Sequence, residues 1–106
     1  MIQQSFFIKR GDTSPSLRVA LGPTTVDLTG AAVNLQMRRR RSTLVIDSAA
    51  VIESASPPIV RYDWAAGDTA TAGIYEAEFR VTFADGTTET FPNRNFIAVH
   101  IEEDVR

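Results

Sequence analysis

The strongest concentration of charge in the sequence is a run of four arginines, Arg38, Arg39, Arg40 and Arg41. Four adjacent guanidinium groups can bind a phosphate backbone or the acidic patch of a partner protein. The run also has a purely structural interpretation, because like charges at a solvated hairpin end discourage pairing at a sheet edge. No exposed aromatic residues are interleaved with the arginines, so nucleic acid is the least favoured of these partners.

Residues suited to catalysis are few. The only histidine, His100, falls in the last predicted strand, where it should point with Phe96 and Ala98 and serve a structural role. The chain has no cysteine, which excludes a thiolate nucleophile and sulfur-ligated zinc. The serines lack a nucleophile-elbow context, and no glycine-rich phosphate loop is present. We therefore expect a protein that is not an enzyme and has no cofactor.

Four carboxylates deserve comparison with known sites. Asp63 and Asp68 flank a predicted loop, and with Glu76 or Glu78 they could form a calcium site or a hydrolytic pair. No spaced Asp-x-Asp-x-Asp-Gly loop accompanies them. Solvated side chains on strand faces explain these carboxylates better, so we expect no metal site.

Composition is that of an ordinary globular domain. The 106 residues are 43% apolar and 23% charged, which is enough for a single domain, 1–106, to bury a core. A net charge of −2 gives no overall attraction to nucleic acid or anionic lipid. The first residues lack the basic start, long apolar run and small-residue cleavage site of a secretory signal, and no apolar stretch approaches a membrane span. We expect synthesis and folding in the cytoplasm and no membrane partner.

The segment 73–92 is the one around which the other elements are arranged. Between Glu76 and Thr82 polar residues alternate with apolar ones, which predicts a strand with one buried face. The Asp85-Gly86 pair predicts a type I′ hairpin turn. Residues 87–91 then form the return strand. The apolar positions of the first strand are Tyr75, Ala77, Phe79, Val81 and Phe83.

The rest of the chain reads as further short strands separated by turns at spacings of roughly 8–12 residues. This pattern predicts an all-β protein, an antiparallel immunoglobulin-like β-sandwich of about seven to eight strands, with no helix of any length. The core should extend over about 5–101, with a frayed tail at 102–106. The other predicted strands are 6–9, 17–21, 33–37, 44–52, 59–64 and 96–101.

A local pattern near the start of the long strand narrows the sandwich type. Asp68, Gly73 and Tyr75 lie where immunoglobulin-like sandwiches place a tyrosine whose hydroxyl bonds to upstream backbone at the corner between sheets. Trp64, about one strand earlier, is a candidate core tryptophan.

A series of short motifs follows in order along the chain: Gly11-Asp12-Thr13-Ser14-Pro15, Val26-Asp27-Leu28-Thr29-Gly30-Ala31-Ala32-Val33, Val60-Arg61-Tyr62-Asp63-Trp64, Gly73-Ile74-Tyr75-Glu76-Ala77-Glu78-Phe79, Asp85-Gly86 and Thr90-Phe91-Pro92. Their order and spacing resemble those of the immunoglobulin-like N-terminal domain of the phage baseplate upper protein family. The resemblance covers roughly 6–101 and implies a non-enzymatic structural protein of a tailed phage, found in the virion tail or baseplate. It also implies contacts with other virion proteins and many copies in a symmetric assembly or a homo-oligomer.

Candidate partner-binding residues are the four arginines together with the exposed face of the long strand, Glu76, Glu78 and Arg80. Two alternatives within the particle are a capsid-surface decoration protein and a head-tail connector. An alternative of another class is a carbohydrate-binding accessory module, which usually reads sugars with exposed aromatics. Here the aromatic residues fall on the predicted core faces.

Overall fold

The computed structural model describes residues 4–23 and 25–105, and its regular elements are all strands. Across this part of the chain no helix is long and apolar enough to cross a membrane. The nine strands are β1 (Gln4–Lys9), β2 (Leu17–Ala20), β3 (Ala32–Arg39), β4 (Leu44–Ala49), β5 (Val51–Ser54), β6 (Ile59–Tyr62), β7 (Gly73–Thr82), β8 (Thr88–Phe91) and β9 (Ile97–Glu102).

The strands form two sheets. The larger sheet has the order β1-β9-β7-β3-β4, and β8 joins it by pairing with β7. The smaller sheet has the order β2-β6-β5. The predicted β-sandwich is confirmed, with nine strands in the described residues rather than seven or eight.

Strand β7 lies at the centre of the larger sheet. β3 pairs along most of one side of it, while β9 pairs with residues 73–77 and β8 with residues 79–82 on the other side. The predicted alternation is confirmed, because Tyr75, Ala77, Phe79 and Val81 are all buried. Opposite Phe79 lies Leu35 of β3, and both side chains are fully enclosed. This pair marks the centre of the core.

One predicted strand, 44–52, is two strands in different sheets. β4 pairs with β3, whereas β5 pairs with β6 of the smaller sheet. Ala50 lies at the crossing, and its N–H donates to the carbonyl of Val33 at 2.8 Å. The extended backbone continues through the crossing, so the apolar pattern carries no sign of the change of neighbour.

Two further features differ from the sequence prediction. β1 pairs with β9 in parallel, whereas every other pairing is antiparallel in the part of the chain that the structure describes. The strand predicted over 59–64 ends at Tyr62, yet Trp64 is still buried as predicted. Its indole N–H donates to the carbonyl of Pro15 at 3.0 Å, which satisfies the polar edge of the ring.

The hairpin between β7 and β8 is confirmed, but its turn is not type I′. A type I′ turn needs positive φ at both central residues, and only Gly86 has it, at +89°. Phe83 N–H donates to the Thr87 carbonyl at 2.8 Å, and Gly86 N–H donates to the Phe83 carbonyl at 2.9 Å. The loop therefore has three residues, 84–86, with glycine in the left-handed position. Asp85 accepts hydrogen bonds from Thr87 Oγ1 and N, and these hold the pKa of its carboxyl below the ordinary value.

The predicted tyrosine corner is present. Tyr75 is buried, and its hydroxyl donates to the carbonyl of Thr71 at 2.8 Å. This bond ties the start of β7 to the loop that precedes it. The sequence prediction of this corner is confirmed.

A second tyrosine organises the other end of the same loop. Tyr62, 3% exposed, donates its hydroxyl to Asp68 Oδ2 at 2.6 Å, and Ala65 N–H donates to the same oxygen at 2.8 Å. Burial raises the pKa of Tyr62 to about 12, and the Asp68 carboxylate adds to the effect. Asp68 therefore holds the loop against the end of β6.

We expect the variant Tyr75→Phe to lower the free energy of unfolding by about 1 kcal/mol, since it removes one intramolecular hydrogen bond and keeps the ring. Urea unfolding followed by the fluorescence of Trp64 measures this change. Thr88→Ala, at an exposed position of β8, is the control and should alter stability by less than about 0.5 kcal/mol. Equal stabilities for Tyr75→Phe and the unchanged protein would contradict the role of the corner.

The free energy of unfolding should fall as pH rises from about 10 to about 12. The unfolded chain loses the Tyr62 proton near pH 10, whereas the folded chain keeps it to about pH 12. Below about pH 10 the contribution of this group is fully present. Urea midpoints measured across this window test the prediction. Tyr62→Phe, which has no proton to lose, should show a shallower fall; the same slope in both proteins would count against it.

Candidate functional site

The larger sheet turns one face toward solvent, called here the outer face. Pairing between β3 and β7 sets its polar residues in rows, with Gln36 opposite Glu78 and Arg38 opposite Glu76. The outer-facing residues of these strands and of β9 include Asn34, Gln36, Arg38, Ile74, Glu76, Glu78, Arg80, Ala98 and His100.

A pocket of about 340 Å³ opens on this face and is called here the outer pocket. Gln36 and the rows around it form its floor, while Leu44 and Phe96 stand at its sides. Asn95 has a φ of +60°, a left-handed turn conformation that precedes Phe96 where the chain enters β9. The lining residues are Gln36, Arg38, Leu44, Glu76, Glu78, Asn95 and Phe96.

The two glutamates of the outer pocket differ in their partners. Arg38 Nε lies 3.0 Å from Glu76 Oε1, and the Glu76 side chain is only 13% exposed. Glu78 is half-buried, and among the described residues no hydrogen bond or ion pair to its carboxylate is found. A carboxylate that is partly removed from water and lacks a counter-ion attracts a cation. The pocket therefore has one unneutralised negative charge.

The four arginines do not act together. Arg38 belongs to the pocket, whereas Arg39 Nη2 donates to the carbonyl of Ala72 at 2.6 Å. The Arg39 guanidinium also lies 5.5 Å from the centre of the Tyr75 ring, and a Cβ added at Gly73 would come within 2.7 Å of it. Glycine at this position thus makes room for the guanidinium. Arg39 supports the fold at the tyrosine corner.

Arg40 and Arg41 lie in the turn between β3 and β4. Ser42 N–H donates to the Arg39 carbonyl at 2.9 Å, and Arg41 has a φ of +58°. Both side chains are exposed and make no ion pair within the described residues. These two cations are available to a partner.

The structure thus brings some of the predicted site residues together and separates others. Arg38, Glu76 and Glu78 come together in the outer pocket, while Arg80 lies outside it, opposite Asn34 and Thr90. Sequence reasoning missed Leu44 and Phe96, which form the apolar sides. Alternation could have placed Gln36 on the outer face, but no sequence signal shows that 44 and 96 approach the same rows.

An apolar strip runs beside the outer pocket. His100 lies on the outer face as predicted and stacks on Phe7, with ring centres 4.4 Å apart and planes 16° apart. Ile74 is opposite His100 and is 61% exposed. The histidine therefore packs within a partly exposed surface.

The carboxylates considered for calcium or hydrolysis are in separate places. Asp63 accepts hydrogen bonds from Arg61 Nε at 2.9 Å and Ser16 Oγ at 2.6 Å, and these lower the pKa of its carboxyl. Asp68 is bonded to Tyr62, away from the outer face. In residues 4–23 and 25–105 no group of three or more histidine, aspartate or glutamate side chains is placed to hold a metal ion.

A second pocket, of about 350 Å³, lies between the edges of the two sheets. It is lined mainly by apolar residues, and none of the described residues in its wall is charged. The outer pocket, whose lining includes Arg38, Glu76 and Glu78, is therefore the one suited to a charged group. The lining residues are Gln4, Val19, Ala20, Leu21, Gly22, Phe91, Pro92, Asn93 and Ile97.

We expect Arg39→Ala to lower the free energy of unfolding by about 1 kcal/mol, because the Ala72 carbonyl loses a charged donor. Arg40→Ala, one residue along, should change stability by less than about 0.5 kcal/mol. Parallel urea titrations of the two variants measure the difference. Similar losses of stability in the two variants would contradict a structural role for Arg39 that Arg40 does not share.

Comparison with known proteins bears on the fold. No family model matches this sequence, and no curated protein matches it. Among solved structures, the chain is similar to the crystal structure of CopC from Methylosinus trichosporium OB3b. The TM-score is 0.58 at 13% sequence identity, over 98% of this chain and 89% of that chain. At this identity the likeness establishes the β-sandwich fold alone.

The same findings correct the function expected from the resemblance. The structure that matches is CopC, which is not a phage baseplate protein, and no comparison returned a phage protein. The assignment to a phage tail, baseplate or capsid is therefore wrong on these comparisons and is not retained. The resemblance to the baseplate upper protein family stays a prediction. What the comparisons establish is that this chain has a β-sandwich fold similar to that of CopC.

Proposed function

We propose that this chain is a non-enzymatic binding domain that recognises an arginine side chain of a partner protein in the outer pocket. The observation that carries the proposal is the half-buried carboxylate of Glu78, which has no partner among the described residues. A guanidinium from another protein would supply the missing charge. It would also form charge-assisted hydrogen bonds with the carboxylate.

The sides of the outer pocket suit an arginine. Its methylene stem can lie against Leu44, which is 49% exposed, so binding would remove apolar surface from water. The planar guanidinium can stack on the ring of Phe96 while it faces Glu78. Arginine is favoured over lysine because a planar donor can use the ring and the carboxylate at once.

The size and charge of the outer pocket support the same ligand. A volume of about 340 Å³ is at the lower end of the range for small-molecule sites, which is about 300–1,000 Å³. The ion pair of Arg38 with Glu76 is neutral, so the net charge of the pocket comes from Glu78. A single cationic side chain would neutralise it.

The same geometry supports a binding role over catalysis. The ionisable side chains that line the outer pocket are Arg38, Glu76 and Glu78, and Glu76 is held by Arg38. Within the part of the chain that the structure describes, no serine or histidine lines the pocket to act as a nucleophile or base. Recognition by charge and shape is the chemistry that this set of residues offers.

The test is a nuclear magnetic resonance titration of the isotope-labelled domain with the capped peptide Gly-Arg-Gly. We expect shifts of amides in the outer pocket, and at least about tenfold weaker binding to Glu78→Gln, since a charged hydrogen bond is worth about 1.5–3 kcal/mol. The matched control is Glu103→Gln, which removes a carboxylate that is 69% exposed and pairs with Arg10.

A second control replaces arginine in the peptide by citrulline, which has nearly the same shape and no charge. Binding should be lost with this peptide and unchanged in Glu103→Gln. The proposal fails if the two peptides bind equally, if Glu78→Gln binds as well as the unchanged domain, or if amides of the outer pocket do not shift.

A further inference from the structure

We infer that the arginine bound in the outer pocket is Arg40 of a second copy of this chain, which makes the domain a symmetric dimer through its outer face. This inference rests on the proposed function, because it names the partner of the same pocket. The outer face carries both members of an ion pair that a single chain leaves unmade. Glu78 has no counter-ion in the described residues, and Arg40 has no carboxylate.

The spacing along β3 shows why one chain cannot make this pair. Gln36 lies opposite Glu78, and Arg40 is four residues further along the chain. Four residues of extended strand separate the two rows by about 13 Å, and β7 is a further strand spacing of about 4.8 Å away. Arg38 lies between them and is already paired with Glu76. The Arg40 guanidinium must therefore find its carboxylate elsewhere.

A two-fold axis supplies that carboxylate. The axis would lie in the plane between two outer faces and run at right angles to the strand direction. It would pass over the row of Arg38 and Glu76. Rotation about it places the turn of one copy over the row of Gln36 and Glu78 in the other, and the reverse contact follows by symmetry. The row at the axis is a neutral ion pair in each copy, so no net charge accumulates there.

The same rotation covers apolar surface. Ile74 and His100 occupy the row nearest the turn, so in the second copy they face the row that holds Phe96 and Glu78. Ile74 is 61% exposed in the single chain, and the contact would remove it from water. Arg40 is favoured over Arg41 because it continues the outward alternation of Gln36 and Arg38, whereas Arg41 is in the left-handed turn position.

The experiment is a charge exchange measured by sedimentation equilibrium over a range of protein concentrations. We expect the unchanged chain to dimerise, and Arg40→Glu and Glu78→Arg each to weaken dimerisation at least tenfold. The double variant, which restores opposite charges in exchanged positions, should recover affinity to within a few-fold of the unchanged chain. Arg18→Glu is the matched control and should leave dimerisation unchanged, since Arg18 is exposed on β2 of the smaller sheet, away from the outer face.

A monomer at all concentrations, or a double variant no better than either single one, would overturn the inference. Circular dichroism of each variant checks folding; if Glu78→Arg does not fold, Arg40→Glu in the exposed turn still tests the contact by itself. The peptide titration, repeated on Arg40→Glu so that the turn of a second copy does not fill the outer pocket, separates the two proposals. A monomer whose outer pocket binds Gly-Arg-Gly through Glu78 overturns the dimer and supports the proposed function, whereas a monomer that does not bind it overturns both.

Discussion

Burial of one face of β7 is the constraint on which the rest of the structure depends. This strand has β3 on one side and both β8 and β9 on the other, and its inward side chains fill the space between the sheets. Because side chains alternate along a strand, the inward direction of Phe79 requires the outward direction of Glu78. The polarity of the outer face therefore follows from the same pattern that builds the core.

At the corner before β7, charged and polar side chains hold the loop that leads into this strand. The loop from 65 to 72 would leave backbone carbonyls without partners as it crosses between sheets, and buried carbonyls need donors. Tyr75 supplies one donor and Arg39 another, while Asp68 accepts from Tyr62 on the same loop. An arginine that looked like part of a charged binding run thus has a place in the fold. The free cations are those of the turn that follows it.

The outer pocket differs from the core in what is left unsatisfied. The core is closed by apolar contacts, whereas the pocket has apolar sides and a carboxylate without a counter-ion among the described residues. Such a combination is stable in the free protein only because Glu78 still has contact with water. A partner that brings a cation and an apolar stem would satisfy both the charge and the exposed surface of Leu44. This difference separates the recognition surface from the rest of the molecule.

Alternation and turn chemistry in the sequence determined the all-β class, the inward side of β7, the hairpin after it and the tyrosine corner, because these depend on residues close together in the chain. Only the tertiary structure decided that β1 pairs in parallel, that the chain changes sheets at Ala50, and that the turn at Gly86 has three residues. Strand periodicity is the same whichever neighbour a strand has, so pairing partners leave no mark in it. For the same reason only part of the outer pocket could be predicted. Alternation predicts that Glu78 points outward, but Leu44 and Phe96 belong to segments distant in sequence, and their approach to the pocket depends on strand pairing.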